Sequence, residues 1–193
     1  DYSYLHKIMA TKSAIMNVQD KQKASFEKLS KEFGYKNVMA APKLLKIVVG
    51  TGTGTKMKKD RETNNRVVDR LAKITGQRPT VRAAKQSVAS FKIRQGDPVG
   101  VAVTLRGASM MHFLDKLIHV ALPRTKDFRG IDPKAVDAIG NITIGIKEHT
   151  IFPEATDEEL KDVFGMAITV VTTAKSKEEV LKLLTHLGFP FRK

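Results

Sequence analysis

Residues 99–106 alternate without a break. Val99, Val101, Val103 and Leu105 fall on one side of an extended chain, and Gly100, Ala102, Thr104 and Arg106 fall on the other. Such a strand has one face to bury and one to leave for something else. The same period of two recurs at 142–147, where Ile142, Ile144 and Ile146 oppose Thr143, Gly145 and Lys147. A strand is also expected at 44–51, and the apolar run at 166–173, apolar on both sides, reads as a central strand. Helical spacing fills the intervals. Phe26, Leu29 and Phe33 share a face over 21–33, closed by Gly34; Val67, Val68, Leu71 and Ile74 do so over 62–75, closed by Gly76. Met110, Phe113, Leu114, Leu117 and Ile118 mark a third helix over 109–122, which Pro123 is expected to stop. A capping box, Ser176 to Glu179, opens a fourth helix with Val180, Leu181 and Leu184 apolar and Gly188 beyond its end. One-faced strands between amphipathic helices give an α+β two-layer sandwich, its sheet mostly antiparallel, with helices on one face and the other face open.

The open face has an unusual composition. It would carry Lys46, Gly50, Gly100, Ala102, Thr104, Arg106, Thr143, Gly145 and Lys147, a flat, small and cationic surface. Glycine weakens a strand because it adds no packing. Two explanations stand side by side. Either the glycines mark bulges on a solvated face, or another backbone, such as the sugar–phosphate chain of a nucleic acid, comes close.

Charge favours a polyanionic partner. The net charge is +14, and it is uneven: residues 1–130 hold 26 basic and 10 acidic side chains, residues 131–193 hold 8 and 10. A nucleic acid facing the first two-thirds accounts for this better than an anionic membrane, because no basic amphipathic helix with exposed aromatics is evident. Much of the excess sits in 77–98, where Arg78, Arg82, Lys85, Lys92 and Arg94 face a single acid, Asp97. This segment reads as a projecting basic loop, partly a β-hairpin, and loops of that length in compact domains usually carry function. The 193 residues suit a single domain over 21–193, with 1–20 as an N-terminal extension that lacks the apolar core of a secretory signal. No apolar run approaches the ~18 residues of a membrane span. With no cysteine, disulfides, thiolate metal sites and cysteine nucleophiles are excluded.

No motif points to an enzyme. The run Gly50-Thr51-Gly52-Thr53-Gly54-Thr55-Lys56 fits neither the phosphate-loop spacing nor the dinucleotide fingerprint, so a nucleotide-binding enzyme is the weaker alternative. The five histidines are scattered. His112 and His119 share a helical face with Asp115 and Lys116, and His149 is expected on the surface. Asp157-Glu158-Glu159 reads as a helix N-terminus. No catalytic residue, cofactor or metal site is expected. Aromatic residues fall mostly at helical core positions, so RNA binding is expected through backbone, shape and 2′-hydroxyl contacts rather than base stacking. A general RNA chaperone without a fixed partner is a further alternative.

Several longer motifs carry a resemblance. Thr75-Gly76-Gln77-Arg78-Pro79, the run Ala84 to Gly96 (AKQSVASFKIRQG) and Val103-Thr104-Leu105-Arg106-Gly107 come first. Pro123-Arg124 with Phe128-Arg129-Gly130, Gly140-Asn141, Gly145-Ile146-Lys147-Glu148, Ile151-Phe152-Pro153-Glu154 and the closing Phe189-Pro190-Phe191-Arg192-Lys193 follow in order. Over about 22–193 the chain resembles the L-five family of large-subunit ribosomal proteins. The resemblance implies a place in the ribosome, in the cytoplasm, at the central protuberance among its neighbouring proteins and the large-subunit rRNA. It implies 5S rRNA contacts at Lys46, Gly50, Thr51, Gln77, Thr104 and Arg106. It implies a loop of Arg78, Thr80, Arg82 and Lys85 that reaches peptidyl-site tRNA. It also implies a bridge to small-subunit protein S-thirteen through Asp132, Gly140, Asn141 and Ile142. Two departures stand out: Gly50 holds the place of the family's usual Asn, with Thr51 as the substitute polar contact, and Ala138-Ile139-Gly140-Asn141 lacks the usual Arg.

Overall fold

The computed structural model describes residues 17–54, 62–126, 128–155 and 163–192. The element order is α1 (Val18–Phe33), β1 (Leu44–Gly52), α2 (Thr63–Thr75), β2 (Thr80–Ala83), β3 (Pro98–Leu105), α3 (Gly107–Lys116), β4 (Ile142–Ile146), β5 (Met166–Thr172) and α4 (Lys177–Leu187). The five strands form one antiparallel sheet in the order β2-β3-β1-β5-β4. The α+β sandwich expected from the alternation is therefore the fold.

The apolar halves of the strands build the core. Ile47, Val49, Val101, Val103, Leu105, Ile142, Ile144, Ile168 and Val170 meet Leu71, Ile74, Phe113, Leu114, Leu117, Leu183 and Leu184 from the helices in a single buried cluster. Phe113 stacks on Phe152 at 6.0 Å between ring centres. α1 starts earlier than its spacing suggests: Val18 is fully buried, and its N–H donates to Asp115 Oδ1 at 2.9 Å. Residues 1–16 of the expected extension lie outside the described residues, as do the lysines of 55–61 and the acidic run 157–159.

Pro123 does not stop its helix at residue 122. α3 continues through a π-helical turn, Leu117–Ala121, into a last turn, Leu122–Arg124. The widened turn lets the N–H of Leu122 reach back to the Leu117 carbonyl, five residues earlier. Proline has no N–H to place, so it sits in the final turn without breaking a bond. His149 also departs from expectation. It is 1% exposed and lies flat on Phe164 with ring centres 4.1 Å apart, its Nδ1 accepting the Phe164 N–H.

α4 begins as its capping box predicts. The Glu179 N–H donates to Ser176 Oγ, and the Glu179 carboxylate accepts the Lys175 N–H and the Tyr35 hydroxyl, the latter at 2.5 Å. Burial works against the charged form of Glu179, but these donors outweigh it and hold its pKa below the usual carboxylate value. Because the folded pKa is depressed, this contribution to stability is present at neutral pH and is lost as pH falls through the folded pKa. Ser176→Ala removes the cap. It is expected to cost about 1 kcal/mol, read as a Tm lower by about 2–4 °C in a thermal melt.

Candidate nucleic-acid interface

Side chains alternate along each strand, and paired residues in neighbouring strands share a face. The register therefore specifies the open face residue by residue. One row crosses all five strands: Thr80, Ala102, Gly50, Ala167 and Gly145. Beside it runs a row of Thr104, Val48, Thr169 and Thr143, in which the Thr143 and Thr169 hydroxyls lie 3.0 Å apart. On the other side lie Arg82, Gly100 and Gly52. At about 4.8 Å between strands the first row is a trough roughly 19 Å long, and no side chain in it is larger than threonine. Lys46 stands opposite Val171 at one margin. Arg106 is exposed just past the end of β3, at the N-cap of α3.

Gly50, Gly52 and Gly145 have no positive φ, and a Cβ added to any of them would meet nothing within 4 Å. Neither backbone conformation nor internal packing calls for glycine there. Gly100 is different, because its added Cβ would lie 3.0 Å from the Thr51 carbonyl oxygen. Three of the four open-face glycines are thus not bulge or packing residues, and the space over them is free for a partner.

The expected site residues divide. Lys46, Gly50 and Thr104 lie on the open face with Arg106 at its edge, and Gln77 is exposed in the turn after α2. Thr51 does not join them. It faces the helix layer at 6% exposure, so it cannot replace the side chain that Gly50 lacks. Thr80 and Arg82 are not on a free loop. β2 pairs with β3 and puts both on the open face, while Arg78 and Lys85 flank the strand in exposed positions. The rest of the basic segment forms an inner hairpin closed by a Val88–Ile93 bridge, with Lys92 at φ 51°.

The four expected bridge residues differ in access. Asp132 is exposed, and its carboxylate accepts the Lys134 N–H at 2.8 Å. Asn141 is half-buried and bonded to the Asp137 carboxylate, whose pKa the Asn141 N–H pulls down against a smaller desolvation effect. Ile142 is fully buried in the core, and Gly140 is buried against Ala174. Neither offers a side chain to another subunit. The exposed apolar residue of this turn is Ile139, at 75%.

Sequence reasoning missed one strand of the face. Ala167, Thr169 and Val171 of β5 lie on it, but Ala and Val there made the strand look apolar on both sides. On the helix side, a solvent-open groove of about 280 Å³ between α1 and α4 is lined by Lys28, Leu29, Glu32, Lys182, Thr185 and His186. Its ions are partly spent on one another, with Lys182 paired to Glu32.

Comparison with known proteins gives a family. Residues 37–94 match the family model of ribosomal protein L5, and residues 98–191 match that of the ribosomal L5P family C-terminus. The large ribosomal subunit protein uL5 of Natranaerobius thermophilus is 52% identical over 164 residues, which cover 85% of this chain and 91% of the relative. The uL5 proteins of Halothermothrix orenii and Desulfatibacillum aliphaticivorans are 49% and 51% identical over 164 and 166 residues, covering 85% and 86% of this chain and 91% and 92% of the relatives.

Proposed function

The chain belongs to the ribosomal protein L5 family, which makes it a structural constituent of the large ribosomal subunit and not an enzyme, and from that premise we propose that its open sheet face is the docking surface for 5S rRNA. The observation that carries the reading is the row of small residues around Gly50, where glycine serves no need of the fold. An RNA backbone lies against the trough. Lys46 and Arg106 at its margins neutralise phosphates, and Thr104 and Gln77 donate hydrogen bonds to sugar or base edges. Small residues set how close the backbone comes; the cations supply most of the affinity and its salt dependence.

The same reading gives roles to the two outlying segments. Arg78, Thr80, Arg82 and Lys85, on and beside the edge strand β2, extend the cationic surface past the sheet to peptidyl-site tRNA. The turn carrying Asp132, Ile139 and Asn141 faces the small subunit and its protein S-thirteen, with Gly140 and Ile142 holding the turn in shape. Large-subunit rRNA and the other central-protuberance proteins complete the surroundings, in the ribosome of the cytoplasm. Residues 21–193 act as one domain in this scheme.

A salt-resolved titration tests the electrostatic part. Arg106→Gln is expected to weaken 5S rRNA binding and to make the slope of log affinity against log salt shallower by about 1, with an unchanged melting curve. An unchanged slope would remove Arg106 from the contact set.

A further inference from the structure

Helical spacing puts Asp115 and Lys116 on the surface of α3 beside His112 and His119. The structure gives both another task. Each is half-buried, and each bonds to the end of a different helix. Asp115 Oδ1 accepts the Val18 N–H at 2.9 Å, at the start of α1. Lys116 Nζ donates to the Ile74 carbonyl at 2.6 Å, in the last turn of α2. Both suit the helix dipole, an acid at an N-terminus and a cation at a C-terminus. Lys116 also meets the Glu154 carboxylate at 2.6 Å, in the turn Pro153–Ala155.

The Lys116 contact bears on the sheet surface. Carbonyls in the last turn of a helix have no partner within it. α2 ends at Thr75, and Gly76, at φ +69°, turns the chain out of it while its N–H donates to the Ala72 carbonyl at 2.8 Å. Thr75 Oγ1 lies 2.7 Å from the Leu71 carbonyl oxygen and 3.1 Å from that of Gln77, which folds the turn back on the helix. Ile74 and Thr75 are buried, and Gln77 is exposed. Gln77 therefore leaves α2 from the very turn that Lys116 holds. The N-cap of α3 is Arg106, so one helix carries the first of these proposed contacts and is bonded to the turn that carries the second.

We propose that Lys116 is a positioning residue for RNA binding: by fixing the last turn of α2 against α3 and Glu154, it holds Gln77 where 5S rRNA meets it. The inference rests on the proposed docking of 5S rRNA to the sheet face. Lys116 acts through Gln77 and does not touch the RNA itself, because its ammonium is spent on Ile74 and Glu154 in the helix layer. A side chain that moves a contact without making one leaves a distinct signature. Its loss lowers affinity without changing the number of phosphates neutralised, and that loss disappears once the contact it positions has been removed.

The test titrates the full chain against 5S rRNA with Lys116→Met, Gln77→Ala and the two combined. Lys116→Met alone should weaken binding about fivefold, the worth of one displaced hydrogen bond, with an unchanged salt slope. Lys116→Arg should recover most of the loss. In the Gln77→Ala background, Lys116→Met should cost almost nothing more. In the free chain, hydrogen exchange at the Gly76 amide should speed up about tenfold in Lys116→Met as the turn loosens. Full 5S affinity in Lys116→Met would overturn the proposal even if its Tm falls. So would an additive loss in the double variant, a shallower salt slope, or a Gln77→Ala variant that binds as well as the unaltered chain. If the unaltered chain fails to bind 5S rRNA, the proposed docking fails instead. Exchange at Gly76, which needs no RNA, then still decides whether Lys116 holds the turn, and an unchanged rate overturns it.

Discussion

A graded series at Gly50 is expected to separate binding from folding. Gly50→Ala, Gly50→Val and Gly50→Phe should leave Tm unchanged or slightly raised, because an added Cβ meets nothing within 4 Å and Val and Phe suit strands. Over the same series, affinity for 5S rRNA should fall stepwise. Ala should do little. Val and Phe overfill a contact between two close surfaces, a cost of about 1–3 kcal/mol, or roughly five- to 150-fold in Kd. The position is decisive because its cross-strand neighbours, Ala102 and Ala167, are small too, so a large side chain there would stand out from its row. Melting curves and RNA titrations on the same preparations check it. A parallel fall in Tm and affinity would show that glycine serves the fold after all.

Gly140→Ala should do the reverse. Gly140 has φ +94°, and an added Cβ would lie 2.6 Å from the Ala174 carbonyl oxygen. That carbonyl belongs to the chain leaving β5 and cannot swing aside as a side chain would. The turn is further pinned by Thr172, whose hydroxyl donates to the Gly140 carbonyl at 2.6 Å and accepts the Ala174 N–H at 3.2 Å. Left-handed strain plus a backbone clash should destabilise the chain by about 2–4 kcal/mol, or about 5–15 °C in Tm. Affinity for 5S rRNA, measured well below the lowered Tm, should stay within about twofold. A large loss of 5S binding without a loss of Tm would instead place Gly140 in the RNA contact set.

These two glycines also show where sequence reasoning stops. Gly50 could be placed on the open face from the period of two, because its neighbours Ile47 and Val49 fix which side is buried. The same parity puts Thr51 on the helix side and Ile142 in the core, so residues carried over from the family resemblance need to be checked against it. Gly140 could not be read this way. Its requirement is set by Ala174, more than thirty residues along the chain, and no local pattern records such a contact. β2 is only partly legible for a different reason: its four residues are all exposed and alternate weakly, which suggests part of a β-hairpin, and only pairing with β3 defines the strand. β5 misled because alanine and valine are as much at home on a close-contact surface as in a core. His149 misled because a lone histidine carries no burial signal until the Phe164 ring is packed on it.

The central claim is that the open face is a fitted site for 5S rRNA and not merely a cationic surface. The most direct measurement titrates the chain, and its Gly50→Phe variant, against 5S rRNA and a control RNA of equal length at several salt concentrations. A fitted site predicts a 5S preference that persists at high salt and disappears in the variant, while both proteins bind the control RNA equally and lose it as salt rises. Equal binding of 5S rRNA and control by the unaltered chain, fading together with salt, would contradict it.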